Sequence, residues 1–202
     1  FTNRAVLCAY LGSGLQMFVA AVLLSWMPSF FNRYYALGPD KAAAVAAGLV
    51  LLVGSGMVVC GMVTDRVARV DPARKWTAAI VFCAISLVCL TTGFGLAAGP
   101  AQLVLVGIGA FFAAGSSGPA AAMVARLTHP SIRASAMGTL TVANSLLGLA
   151  LGPLVVGVLA DRLGLATALQ IAPLAYVAAI GALVVGARVY PAGIRQLEAT
   201  TR

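Results

Sequence analysis

Few groups in this chain are equipped for chemistry. The sequence has five acidic residues, thirteen basic ones, one histidine and four cysteines. Cys8, Cys60, Cys83 and Cys89 all fall within apolar stretches with no Cys-x-x-Cys pair, and His129 has no partner histidine, so neither a metal site nor a disulfide framework is spelled. Such cysteines act as small apolar fillers. Gly115-Ser116-Ser117-Gly118 has the composition of a nucleophilic serine turn. Its only base, His129, stands twelve residues beyond Ser117, roughly 18 Å along a helix rising 1.5 Å per residue. That is too far for the hydrogen bond an activated serine needs. Pro119 follows directly, so a kink with small-residue packing explains the motif. The chain reads as no enzyme, with no catalytic residue, cofactor or metal.

What remains is ions at the ends of apolar segments and amides inside them. Asp65, Arg66 and Arg69 cluster where one apolar run stops, and Asp161-Arg162 ends another. Gln16 and Asn144 lie within apolar runs, where an amide without partners is costly, so they have most reason to face a cavity. Ser55 and Ser117 join them as weaker candidates, because serines, Ser116 included, can bond to their own preceding turn. Gly148, Gly152 and Gly157 with Pro153 would bring two backbones close and give one segment a flexible point.

The elements that position these groups belong to a membrane. Hydrophobic residues make up 61% of the 202 and charged ones only 9%, against roughly 45–50% and about 25% in soluble domains. Six apolar segments near or above the ~20 residues that cross a bilayer fill the length. They run over about Ala5–Met27 (ended by Pro28 and an aromatic loop through Tyr35), Asp40–Val63 (with Asp40 as N-cap), Trp76–Ala97, Ala101–Ala125, Ala134–Ala160 and Ala166–Val189, the last with Pro173 as an early kink or first-turn proline. Residues 190–202 are expected as a tail. The first segment is too long for a signal peptide, which points to a real span in a fragment or processed chain. Trp26, Tyr34 and Tyr35 are placed at a membrane interface.

The charge of +8 is a topology signal and not a nucleic-acid footprint. Alternating the loops puts Arg4, Arg66, Arg69, Arg74, Lys75, Arg126, Arg133, Arg188, Arg195 and Arg202 on one side, against Arg33, Lys41 and Arg162 on the other. Both termini are therefore expected in the cytoplasm, in an inner or plasma membrane. No charged residue lies deep in a span, so no intramembrane proton relay is visible.

Residues 51–67 align with 147–163 at an offset of 96, with Leu51, Gly56, Val59, Gly61, Asp65 and Arg66 repeated. The period is three spans. Because three is odd, the second copy enters the membrane in the opposite sense: an inverted-topology repeat, with units of about 5–97 and 101–189.

Gly61-Met-Val-Thr-Asp65-Arg66-Val-Ala-Arg69 resembles the cytoplasmic loop signature of the major facilitator superfamily, G-x-x-x-D-R-x-G-R-[RK]. It departs from that pattern at Ala68 and in the displacement of the next basic residues to Arg74 and Lys75. Pro130-Ser-Ile-Arg133-Ala-Ser-Ala-Met-Gly138 is similar to the family's P-x-x-x-R-[GA]-x-A-x-G stretch, and Gly148 to Gly157 to the glycine-proline helix after it. The Trp26-Met-Pro28 helix end and the Asp161-Arg-Leu-Gly164 exit look most like spinster-type or organic-anion permeases.

The resemblance implies an all-α membrane fold, the C-terminal six-helix half of a twelve-helix transporter whose N-terminal half is missing. It implies secondary transport of a small solute by alternating access, as a symporter or antiporter, with proton coupling as the family expectation. Gly61 would permit close helix approach, while Asp65, Arg66 and Arg69 form a latch that holds one gate state. Asp161 and Arg162 would be its repeat counterpart. Alternatives of another class are a transport-inactive six-helix scaffold, or a half-transporter that works only as a dimer.

Overall fold

The computed structural model describes residues 4–69 and 71–201, with side chains as far as residue 195; Arg202 lies outside them. Six helices long and apolar enough to cross a membrane follow in order: Arg4–Tyr34, Pro39–Ala68, Arg74–Gly95, Pro100–Leu127, Pro130–Leu163 and Leu165–Arg195. We call them spans 1 to 6. No strand occurs among the described residues.

Two details differ from the sequence expectation, at Pro28 and Asp40, and two others add to it. Span 1 does not stop at Pro28 but carries it internally to Tyr34. A proline ring removes one helical bond, yet Met27, Phe30 and Phe31 beside it are buried. Phe30 packs edge-on against Phe94 of span 3 at 5.3 Å and stacks on Tyr34 at 5.0 Å, so tertiary packing carries the helix through. Asp40 is not the N-cap. Gly38 holds that place and Pro39 starts the helix, supplying a first residue that needs no N–H partner and leaving Asp40 as the acidic group of the first turn. The expected tail from residue 190 is helical as far as Thr201. Pro173 sits in a short 3-10 turn, Ala172–Leu174, that divides span 6.

Spans 4 and 5 are irregular where it matters. Span 4 is two helices, Pro100–Phe112 and Ser117–Leu127. Tight turns join them: Gly115 N–H donates to Phe112 O at 3.0 Å and Ser117 N–H to Ala114 O at 3.2 Å. Span 5 widens to a π-helical turn at Asn144–Ala150. Such a turn inserts one residue into a helix. Two bonds from span 1 bracket it: Tyr10 donates to Ala136 O at 3.0 Å and the Trp26 indole to Pro153 O at 3.1 Å. Their sequence separations are 126 and 127, so the one-residue slip between the parallel spans 1 and 5 matches the extra residue of the π turn.

Burial follows the inverted repeat. The most apolar window of each span is 67%, 22% and 39% buried in spans 1 to 3, and 50%, 17% and 39% in spans 4 to 6. The first member of each unit is the core, the second the least covered and the third intermediate. The crossings repeat as well. A Cβ on Gly56 of span 2 would overlap the carbonyl oxygen of Phe111 in span 4, and one on Gly152 of span 5 would lie 2.6 Å from the carbonyl oxygen of Phe18 in span 1. Gly56 and Gly152 are related by the same 96-residue offset as the two Asp-Arg pairs. Each unit's second span therefore rests on the first span of the other unit.

One end of the bundle is tied together by tyrosines. Tyr35 of the first connection donates to Gln102 Oε1 at 2.7 Å and accepts from Gly99 N–H at 3.1 Å. Gln102 in turn donates to Leu96 O at 2.8 Å and Gly93 O at 3.2 Å. Tyr34 accepts Ala166 N–H at 3.1 Å, so the connections after spans 1, 3 and 5 are linked. Of the residues expected as interface anchors, Tyr34 and Tyr35 do this tying and Trp26 holds span 5.

Candidate functional site

A helix broken inside an apolar bundle leaves backbone groups that water cannot reach, so protein must satisfy them. The break in span 4 draws on three other spans. Gln16 of span 1 accepts from Ser116 N–H at 3.2 Å and from the Ser116 hydroxyl. Tyr176 of span 6 donates to Ala113 O at 3.0 Å, and Ser86 of span 3 to Gly109 O at 2.9 Å. Ser117 donates to Ala114 O at 2.8 Å within the turn itself. Gln16, Ser86, Ser116 and Tyr176 are all buried. Together they form a polar centre that fixes spans 1, 3, 4 and 6 to one another.

The four amide and serine candidates do not meet at one place. Gln16 is enclosed in this polar centre. Ser117 stands at its edge, half-buried. Asn144 opens the π turn of span 5, half-buried, with its Oδ1 shielded and unpartnered among the described residues. Ser55 is apart from them on an exposed face of span 2, where its hydroxyl bonds to Leu52 O at 2.8 Å.

The span-5 glycines pack on span 1. A Cβ on Gly148 would lie 2.5 Å from Met17 Cβ, and one on Gly157 3.2 Å from the Trp26 ring. With Gly152 on Phe18 and Pro153 O on the Trp26 indole, the stripe forms a seam along span 1 whose start coincides with the π turn.

Asp65, Arg66 and Arg69 are exposed at the C-terminal end of span 2, and Asp161 and Arg162 at that of span 5. One span is even and the other odd, so the two pairs lie at opposite ends of the bundle. At Gly61 a Cβ would find open space. The close approach expected there is made five residues earlier, by Gly56, and by Cys60, whose sulfur would lie 2.8 Å from a Cβ on Gly115.

Between spans 2 and 4 lies an apolar cleft of about 380 Å³ lined by Leu52, Val104, Gly107, Ile108, Phe111 and Phe112. Among the described residues no group of three or more His, Cys, Asp or Glu side chains could hold a metal ion. Sequence reasoning missed Ser86, Tyr176 and Gln102 as members of the polar framework. Tyr176 had a legible signal, a phenol inside an apolar run that needs a partner when buried.

No family model matches the sequence, and no curated protein matches it. Solved structures do match. A peptide transporter, POT, crystallised with alafosfalin, superposes with a TM-score of 0.77 at 15% identity over 91% of this chain and 38% of its own. A bacterial homologue of the human lysosomal transporter Spinster matches in two inward-facing conformations. The unoccupied one gives a TM-score of 0.68 at 17% identity over 96% of this chain and 48% of its own. The occupied one gives 0.68 at 19% over 96% and 50%. The chain thus spans between about two-fifths and half of these transporters' lengths. It therefore shares the fold of a six-span portion of these transporters.

Proposed function

We propose that this chain is the C-terminal half of a secondary transporter that moves a small solute across an inner or plasma membrane by alternating access. The observation that carries the reading is a fold shared over nearly the whole chain with proteins of about twice its length that are transporters. Spans 2 and 5, symmetry-related and least buried, are the faces that an N-terminal six-span half would cover, with lipid around the rest. Both termini lie in the cytoplasm on this reading, as the ten-to-three distribution of basic residues requires.

The roles then divide by position. Asp65, Arg66 and Arg69 latch one gate state at the cytoplasmic end, with Asp161 and Arg162 as the opposite counterpart. Gln16, Asn144, Ser117 and Ser55 are the polar groups on or near the solute route, and the Gly148–Gly157 seam lets span 5 flex. If transport is proton-coupled, the acid belongs to the other half, since Asp40, Asp65, Asp71 and Asp161 lie at span ends or in a connection and Glu198 follows the last span. No catalytic chemistry is required. Nothing in the fold favours the scaffold or dimer reading.

The test is uptake into proteoliposomes containing the intact protein, screened over small solutes beginning with short peptides, which the POT name suggests. Once a solute is found, Asp65→Asn should slow its uptake at least tenfold while leaving membrane insertion and melting temperature unchanged. Uptake at the full rate would sink the latch.

A further inference from the structure

We propose that spans 1, 4 and 5 enclose a hydrogen-bonding niche for an uncharged group that both donates and accepts, either water or the hydroxyl or amide end of a solute. Among the described residues five buried side-chain atoms have no hydrogen-bond partner: Ser13 Oγ, Gln16 Nε2, Trp76 Nε1, Thr91 Oγ1 and Asn144 Oδ1. Trp76 and Thr91 belong to span 3. The other three belong to span 1 (Ser13 and Gln16) and to the part of span 5 that packs on it (Asn144).

Ser13 and Gln16 are one turn apart on the same face of span 1, 1% and 0% exposed. The bonds from Ser116 to Gln16 Oε1 hold this amide against the N-terminus of the Ser117–Leu127 helix and leave its Nε2 hydrogens without an acceptor. Gly14, next to Ser13, lies so near span 5 that a Cβ there would be 3.0 Å from Leu147 Cβ and 3.1 Å from Ala143 O. Asn144 therefore enters the junction at the height of Ser13. It also falls in register with Ala136, Leu140, Gly148, Gly152 and Val156, the buried positions of span 5.

The three groups are complementary: Gln16 Nε2 donates, Asn144 Oδ1 accepts and the Ser13 hydroxyl does either. A buried polar group left unpaired bears its full desolvation penalty, and a bound water or ligand group is the usual remedy. The occupant is uncharged because nothing at this depth would balance an ion. The ionised residues of spans 1, 4 and 5 (Arg4, Arg33, Arg126, Arg133, Asp161 and Arg162) all lie within four residues of a span end. The niche does not depend on what the protein transports, or on whether it transports at all.

Cysteine accessibility tests it. In the intact protein in nanodiscs, with Cys8, Cys60, Cys83 and Cys89 replaced by alanine, Ser13→Cys and Asn144→Cys are titrated with methyl methanethiosulfonate. Ser86→Cys is the control, because Ser86 is 0% exposed and its hydroxyl is spent on Gly109 O. A niche open to small polar molecules predicts labelling at position 13 at least tenfold faster than at 86, and likewise at 144. Rates equal to the control at both positions would overturn it, and position 144 gives a reading of its own if Ser13→Cys does not fold. Acetamide and ethanol separate the two sources: slowing of the reaction by either assigns the niche to a solute's amide or hydroxyl, and an unchanged fast rate assigns it to water.

Discussion

The seam between spans 1 and 5 makes a quantitative prediction at Gly152. A methyl group there would lie 2.6 Å from Phe18 O and 3.4 Å from Phe18 C and Cα. Carbon and oxygen without a covalent bond approach to about 3.3 Å, so Gly152→Ala must push the spans apart by roughly 0.7 Å. The obstacle is backbone and cannot rotate away. A gap of that size forfeits about a quarter to a half of each contact's dispersion energy along the seam, and overpacking of this kind costs about 1–3 kcal/mol. Alanine recovers up to about 1 kcal/mol of helix propensity, leaving a net loss of up to about 2 kcal/mol at full recovery. For a chain of this size that lowers the melting temperature by up to roughly 8 °C. Gly138 of the same span is the control, since a Cβ there meets nothing within 4 Å. Gly138→Ala should be neutral or slightly stabilising. Thermal melts followed by intrinsic fluorescence suit the experiment because Trp26 sits on the seam. Gly56→Ala, the repeat-related substitution, should be at least as damaging, its methyl overlapping Phe111 O. Gly152→Ala melting at or above Gly138→Ala would refute the close-packing argument.

Two further outcomes follow from the same structure. Tyr35→Phe removes the hydroxyl that donates to Gln102 Oε1 and accepts from Gly99 N–H; it should cost about 1–3 kcal/mol and speed amide exchange at Gly99, and an unchanged melt with unchanged exchange would contradict the tying role. Deleting Leu149, an exposed residue of the π turn, should return span 5 to α-helical register and be tolerated better than an alanine inserted after Leu149, which adds a second extra residue; equal melting temperatures for the two would contradict the one-residue slip.

The six spans and the inverted repeat were legible because bilayer thickness and side-chain burial act residue by residue along the chain. The period rested on six repeated positions, Leu51, Gly56, Val59, Gly61, Asp65 and Arg66. Features that depend on a distant partner were not legible. Pro28 signals a helix end locally, yet Phe94, 66 residues away, packs on Phe30 and helps hold the helix through it. The break at Ala113–Ser116 was visible only as a kink at Pro119, because its extent depends on Gln16 and Tyr176 replacing the lost helical bonds. The π turn had no local signal at all: it is set by the one-residue mismatch between the Tyr10 and Trp26 bonds. Gln16 read correctly as an amide needing a partner, but whether that partner is a cavity or Ser116 is a matter of packing.

The mechanical consequence lies in which spans hold each other. Span 2 presses on span 4 through Gly56, and span 5 presses on span 1 through Gly152, so each unit's least covered helix makes a close glycine contact with the other unit. The polar centre then joins spans 1, 3, 4 and 6 through Gln16, Ser86 and Tyr176, and the tyrosines tie three connections at one end. Sliding one unit past the other would break carbonyl contacts, hydrogen bonds and loop ties together. The low-cost motion is therefore of the six spans as one body, with local bending confined to span 5, where the π turn and Pro153 already depart from the regular helical ladder. On the proposed alternating-access reading, a body of that kind changes access by tilting against an N-terminal half that covers spans 2 and 5, and the moving surface then lies outside this bundle.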